Sequence, residues 1–229
     1  WVFILSDTYG FPPELTSEIS NEHGLVVDMA SFAVEMEAQR ERARSSQSFS
    51  GGMEMLTLYG DLQLNKTVFV GYEDLTSHTP VSAILIENNV ADSALEGQEL
   101  EVILERTPFY AENGGQVGDL GTMTGPNGLI VVKDTYSPMA GLTVHKCLVK
   151  TGHVLLGDVL DCQVDLIHRM GAARNHSGTH LLHSSLRTVL GAHVRQAGSH
   201  VSADRLRFDF SHVSPLTPEE QHQIQSLAN

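Results

Sequence analysis

The sequence predicts an α+β fold in three successive parts: a helical segment, a small β-barrel, and an incomplete α/β domain. Three observations carry that prediction. Up to residue 48, apolar positions recur at helical spacing. From about residue 66, short β-branched runs alternate apolar and polar, separated by Gly, Asn, Pro and Asp at intervals of about ten residues. From about residue 168 the helical period returns, and two strand-like runs and the start of another helix follow it.

In chain order, LTSEISNEHG reads as a helix initiated by Thr16 and stopped by Gly24. MASFAVEMEAQRERARSS gives a longer amphipathic helix with Phe32, Met36, Gln39 and Ala43 on one side. SSQSFSGG at 45–52 reads as a linker or surface loop. The strand candidates are TVFVGY, SAILIE, ELEVILE, GLIVVKD, LTVHKCLV and VLDCQVD, and NGLI at 127–130 fits a tight hairpin turn. His168–Leu190 is helical, with Gly191 as its stop. HVRQAGSHV and DRLRFDFSH alternate like strands. A last helix opens at Thr217, with Pro218 at its first position and Glu220 completing a capping box.

At 229 residues and 41% hydrophobic content, the chain can bury one large core or two ordinary ones. No run approaches the ~18 apolar residues of a membrane span, so no membrane partner is expected. The chain begins at Trp1 without a signal leader and ends on SLAN inside a helical pattern, so it reads as a piece of a longer protein. Its two cysteines, Cys147 and Cys162, sit in apolar strand-like sequence, which favours core positions and a reducing compartment over a disulfide framework.

Charge is unevenly spread. Residues 1–165 hold 8 Lys and Arg against 24 Asp and Glu, whereas 166–210 hold 6 Arg against 2 Asp. The net charge of −14 argues against broad nucleic-acid binding, and no DNA partner is expected. It leaves room for a local basic face around Arg169, Arg174, Arg187, Arg195, Arg205 and Arg207, or simply for a solvated helix surface.

Three stretches carry chemistry. RNHSGTHLLH places His176 and His180 four residues apart on one helix face, where they can share a metal or serve as ordinary helix histidines. Ser177 stands where a zinc metalloprotease needs Glu, so that reading fails. His183 lies on the same stripe but fits a tetrahedral set poorly and is assigned packing or hydrogen bonding. TPFYAENGGQVGDLG at 107–121 places Gly114, Gly115 and Gly118 beside Gln116 and Asp119; such a loop suits close approach to a ligand, or is a plain turn between strands. In LSDTYGFPPELT, Asp7 precedes a turn into a helix and is a local cap or a functional carboxylate.

DTYGFP, PFYAENGGQVGD, RNHSGTHLLH and VRQAGSHVSADRLRFDFSH occur in this order, and together they resemble the alanyl-tRNA synthetase family over essentially the whole chain. Threonyl-tRNA synthetases share a similar histidine helix but lack DTYGFP and this barrel. The resemblance implies that 1–62 ends a helical tRNA-recognition region, 63–165 is a β-barrel, and 166–229 is the N-terminal part of an editing domain. It implies a partner, the tRNA for alanine, and hydrolysis of serine or glycine wrongly esterified to it. The sites that activate alanine with ATP and magnesium would precede Trp1.

By the same resemblance His176 and His180 are two of four zinc ligands, with a Cys-x-x-x-His pair expected beyond Asn229. Asp7 corresponds to an aspartate that reads the acceptor stem. Thr179 and Gln196 correspond to editing-pocket residues, and Ser199 lies close by. Gly114, Gly115, Gln116 and Asp119 become substrate-contact candidates, and Arg174 and Arg195 become phosphate contacts. A noncatalytic tRNA-binding module and a free-standing editing hydrolase are the alternatives. A cytoplasmic location is expected, with an organellar one as the alternative.

Overall fold

The structure is a computed structural model that describes residues 13–25, 27–34, 36 and 56–229. The chain divides into two compact units, Trp1–Asp61 and Leu62–Asn229. Asp7, the 45–52 linker and the second half of the 29–46 helix, with Gln39 and Ala43, lie outside the described residues.

In the first unit, helix α1 spans Pro13–Glu22. It begins one turn before the expected Thr16 start, because Pro13 tolerates the first helical turn, where an N–H has no partner to lose. Thr16 is buried within the helix instead of capping it. Gly24 ends α1 as expected: at φ +71° it lets Leu25 N–H reach back to Ser20 O at 2.8 Å. Residues 29–34 are helical, with the Asp28 carboxylate accepting from Ser31 N–H at 2.9 Å at the helix start.

The second unit opens with β1 (Val68–Phe69) and a long strand β2 (Thr76–Ile86). The short strands β3 (Asn89–Ala91) and β4 (Ser93–Leu95) follow, then β5 (Glu99–Leu104) and β6 (Arg106–Thr107). β7 (Gly121–Thr124), β8 (Gly128–Met139), β9 (Leu142–Leu155) and β10 (Val159–Val164) complete this region. The order β10-β7-β8-β9-β5-β2 closes on itself through a β10–β2 pairing, giving a six-stranded barrel with every neighbour antiparallel. Closure satisfies both edges of the sheet.

Alternation explains the burial. Along β10, Leu160, Cys162 and Val164 point inward while Val159, Asp161 and Gln163 face out. Val102, Leu104, Phe109, Met123, Ile130 and Val132 fill the interior, each side chain of this size contributing about 1.5–3 kcal/mol by leaving water. Both cysteines are free and buried in this core. His145 is a fully buried polar group with both ring nitrogens paired: its Nδ1–H donates to Val102 O at 2.8 Å, and Thr107 Oγ–H donates to its Nε2 at 2.8 Å.

Two local expectations shift. TVFVGY contributes only Val68–Phe69 as strand, since Gly71 packs against Pro108 O and the chain turns there. The hairpin turn expected at 127–130 falls at 125–127, closed by Gly125 N–H to Gly128 O at 2.9 Å, and Leu129 and Ile130 belong to β8. Its partner β7 is short and carries a glycine, too weak a pattern to stand out in the sequence.

Helix α2 (Leu166–Leu190) is capped by Asp165, whose side chain accepts from His168 N–H, and stops at Gly191. The cap moves its start two residues ahead of His168. Strands β11 (Gln196–Val201) and β12 (Leu206–Phe210) form an antiparallel hairpin, and helix α3 (Pro218–Ala228) carries the expected capping box between Thr217 and Glu220. Leu186, Val194 and Ile224 form a small second core with Leu182, Phe208 and Phe210.

Candidate functional site

The glycine loop between β6 and β7 begins as a tight turn. Asn113 N–H donates to Gln116 O at 3.1 Å and Gln116 N–H to Asn113 O at 3.0 Å, with Gly114 and Gly115 between them at φ +60° and +81°. That left-handed pair favours glycine, which adopts it without a Cβ penalty. The loop then lies along β11: Val201 N–H donates to Gly115 O at 2.7 Å, and Val117 N–H donates to Val201 O at 3.0 Å. A Cβ on Gly115 would stand 2.5 Å from Ser199 Oγ and 2.6 Å from Ser199 O, so the loop meets β11 where no side chain fits.

Helix α2 meets the other side of this loop. Gln116 is buried, and its Oε1 accepts from His176 Nδ1–H at 2.9 Å. The His176 and His180 rings stand 5.2 Å apart, His180 exposed and His176 half-buried. Asp119, also buried, binds the guanidinium of Arg169 and accepts from Tyr110 N–H at 2.7 Å. Its carboxylate is therefore committed within the protein.

On β11, Gln196 Nε2 donates to Ser199 Oγ at 3.0 Å, and Gln196 is solvent-exposed. Gly114, Gly115, Gln116, His176, His180, Gln196 and Ser199 thus gather where the loop, helix and hairpin meet. Thr179 is buried on α2, its hydroxyl donating to Asn175 O at 2.8 Å. Arg174 and Arg195 are both exposed, Arg195 at the hairpin end, where its N–H donates to Ser211 Oγ at 3.2 Å. His183 lies against Phe208 with ring centroids 5.1 Å apart, a packing contact.

Gly171 and Asn175, which belong to none of the sequence-derived site candidates, hold the hairpin turn to α2. Asn175 Nδ2 donates to Ser202 O at 2.8 Å and Ala203 O at 3.2 Å, fastening the hairpin turn to α2. A Cβ on Gly171 would meet Ala203 O at 2.8 Å, so the helix and turn touch directly. The signal was present as a stripe of small residues four apart, Gly171, Asn175 and Thr179.

His176 and His180 suit zinc as nitrogen donors one helical turn apart, and the Gln116 contact leaves the His176 Nε2 lone pair free. Among the described residues, no group of three or more His, Cys, Asp and Glu converges as a metal site. The described residues thus offer two nitrogen donors to such an ion. Gln196 and Ser199 offer a paired amide and hydroxyl for hydrogen bonding, but the amide cannot act as a general base.

Residues 1–167, which include the whole barrel, match the family described as tRNA synthetases class II (A), which places the chain among the class II tRNA synthetases. An alanine–tRNA ligase of Roseiflexus sp. (strain RS-1) is 46% identical over 227 residues, covering 99% of this chain and 25% of the relative. The alanine–tRNA ligase of Halalkalibacterium halodurans is 46% identical over 229 residues, covering 100% and 26%. That of Methylococcus capsulatus is 44% identical over 227 residues, covering 99% and 26%. The chain belongs to the alanyl-tRNA synthetase family and spans about a quarter of the length of these curated relatives. Among the described residues, no helix is long and apolar enough to cross a membrane.

Proposed function

We propose that this chain is the portion of an alanine–tRNA ligase running from tRNA recognition into the editing site, and that it removes serine or glycine wrongly esterified to the tRNA for alanine. The observation that supports this most is the convergence of the glycine loop, the His176–His180 helix and the Gln196–Ser199 strand. The need for such a site is physical. A pocket built for alanine cannot strongly reject smaller glycine, and it discriminates against one added hydroxyl by only about 10²-fold. A second site that recognises the hydroxyl and hydrolyses the ester removes the error.

In this reading Gln196 and Ser199 bind the serine hydroxyl or hold the attacking water, and the loop backbone at Gly114 and Gly115 approaches the amino acid. Thr179 shapes the pocket floor from α2. Arg174 and Arg195 meet tRNA phosphates, and Asp7 contacts the acceptor stem. His176 and His180 hold zinc together with two ligands outside these 229 residues. When bound, the ion supplies a Lewis-acidic positive charge beside the tRNA end. Alanine activation with ATP and magnesium belongs to the full-length ligase, in the cytoplasm.

The test is release of amino acid from Ser-tRNA, Gly-tRNA and Ala-tRNA by the full-length protein, beside His176→Ala and Gln196→Ala. Release from the first two, sparing Ala-tRNA and falling at least tenfold in both variants, is expected. Tight tRNA binding with no release, in folded and zinc-loaded protein, would instead establish a noncatalytic tRNA-binding module.

A further inference from the structure

Gln116 belongs to the loop that the sequence offers as a substrate contact, yet its side chain runs to α2 and ends on His176. We propose that Gln116 is a positioning residue that locks the His176 ring with its Nε2 lone pair facing the metal position; this rests on His176 being a zinc ligand. An amide oxygen can only accept, so the 2.9 Å contact places the ring proton on Nδ1. Which ring nitrogen of a histidine binds a metal is set by the hydrogen bond the other one makes. Outer partners of this kind also hold the ring's angle.

The lock depends on Gln116 being immobile. Its N–H and C=O are both spent on Asn113, it forms a parallel bridge with Val201, and the residue is buried. Three residues on, the same loop grips α2 again through Asp119 and Arg169. Arg169 precedes His176 by about two helical turns. Rotating or sliding α2 would break the ion pair, and flipping the His176 ring would lose the amide. One loop therefore sets the helix and its first histidine together, and Gln116 serves the metal through His176 with no need to touch the substrate.

The experiment pairs two readouts. Long-range ¹H–¹⁵N correlation on the zinc-free, histidine-labelled full-length protein at about pH 8, where free imidazole is neutral, reports the His176 tautomer. Competition with a chromophoric chelator reports zinc affinity of the full-length protein. Gln116→Met fills the same space without an amide acceptor, whereas Gln116→Glu keeps an acceptor at the same reach. The unsubstituted protein should show protonated Nδ1. The Met variant should move the proton toward Nε2 and bind zinc about 10- to 100-fold more weakly, and the Glu variant should restore both. An unchanged tautomer or unchanged zinc affinity in a folded Met variant overturns the proposal. A tautomer shift in a full-length protein that binds no zinc overturns the metal reading, and Gln116 then orients only a helix histidine.

Discussion

Arg169 and Asp119 form a buried ion pair that joins α2 to the glycine loop. Arg169 Nε lies 3.0 and 2.9 Å from the two carboxylate oxygens, and the remaining guanidinium nitrogens donate to Gly71 O and Pro108 O at 2.7 Å each. The side chains are only 14% and 2% exposed, so water cannot substitute for either partner. One planar fork thereby ties together the turn after β1, the segment after β6, the loop before β7 and the helix bearing His176 and His180.

Removing one member of this pair strands the other in a low-dielectric setting. Asp119→Ala should cost about 3–5 kcal/mol, read as a drop in the urea midpoint of unfolding. Arg169→Lys keeps the charge but loses the fork and should also destabilise. A change under 1 kcal/mol in the Asp119 variant would mean the pair is not holding the loop.

Gly115→Ala meets two obstacles at once, a left-handed φ of +81° and a Cβ 2.6 Å from the Ser199 carbonyl oxygen. The backbone term alone is about 1–2 kcal/mol. Thermal unfolding should shift downward, and amide shifts at 196–201 should move because β11 must retreat. Gly114→Ala makes the useful contrast, since nothing stands within 4 Å of its Cβ position; it should cost only the backbone term.

His145 makes stability depend on pH. Burial lowers its pKa from 6.5 to about 4 in the folded protein, partly offset by its bond to the Val102 carbonyl. The unfolded chain therefore takes up a proton that the folded chain refuses, and the stabilisation present above about pH 6.5 is lost as pH falls toward 4. The shift corresponds to roughly 3 kcal/mol. His145→Gln should flatten that part of the stability–pH curve; an unchanged slope would assign it to other groups.

Burial also pushes the Cys162 thiol up to about 11 and raises that of Cys147 further, so neither forms a thiolate near neutrality. A disulfide-exchange reagent should label neither thiol in the native protein and both after denaturation. Rapid native labelling would show that the barrel interior opens.

At the far end of the chain, Thr217→Ala removes the hydroxyl that accepts from Glu220 N–H at 3.2 Å. A cost of about 1 kcal/mol is expected, measured by chemical denaturation.

The local sequence determined what depends on neighbours in the chain. Pro218 and Glu220 after Thr217 specify the start of α3, Gly24 and Gly191 end their helices, and alternation in VLDCQVD specifies which β10 residues face inward. The spacing of His176 and His180 likewise put them on one helix face, because that follows from 3.6 residues per turn. Tertiary structure decided the partners. Nothing near Gln116 in the chain announces that its amide meets a histidine 60 residues away, or that Asp119 meets an arginine 50 residues away. Closure of the barrel through β10 and β2 and the pressing of Gly115 onto Ser199 are equally nonlocal. Periodicity and caps act through a few bonded neighbours, whereas these contacts exist only after the core has packed and brought distant segments within hydrogen-bonding distance.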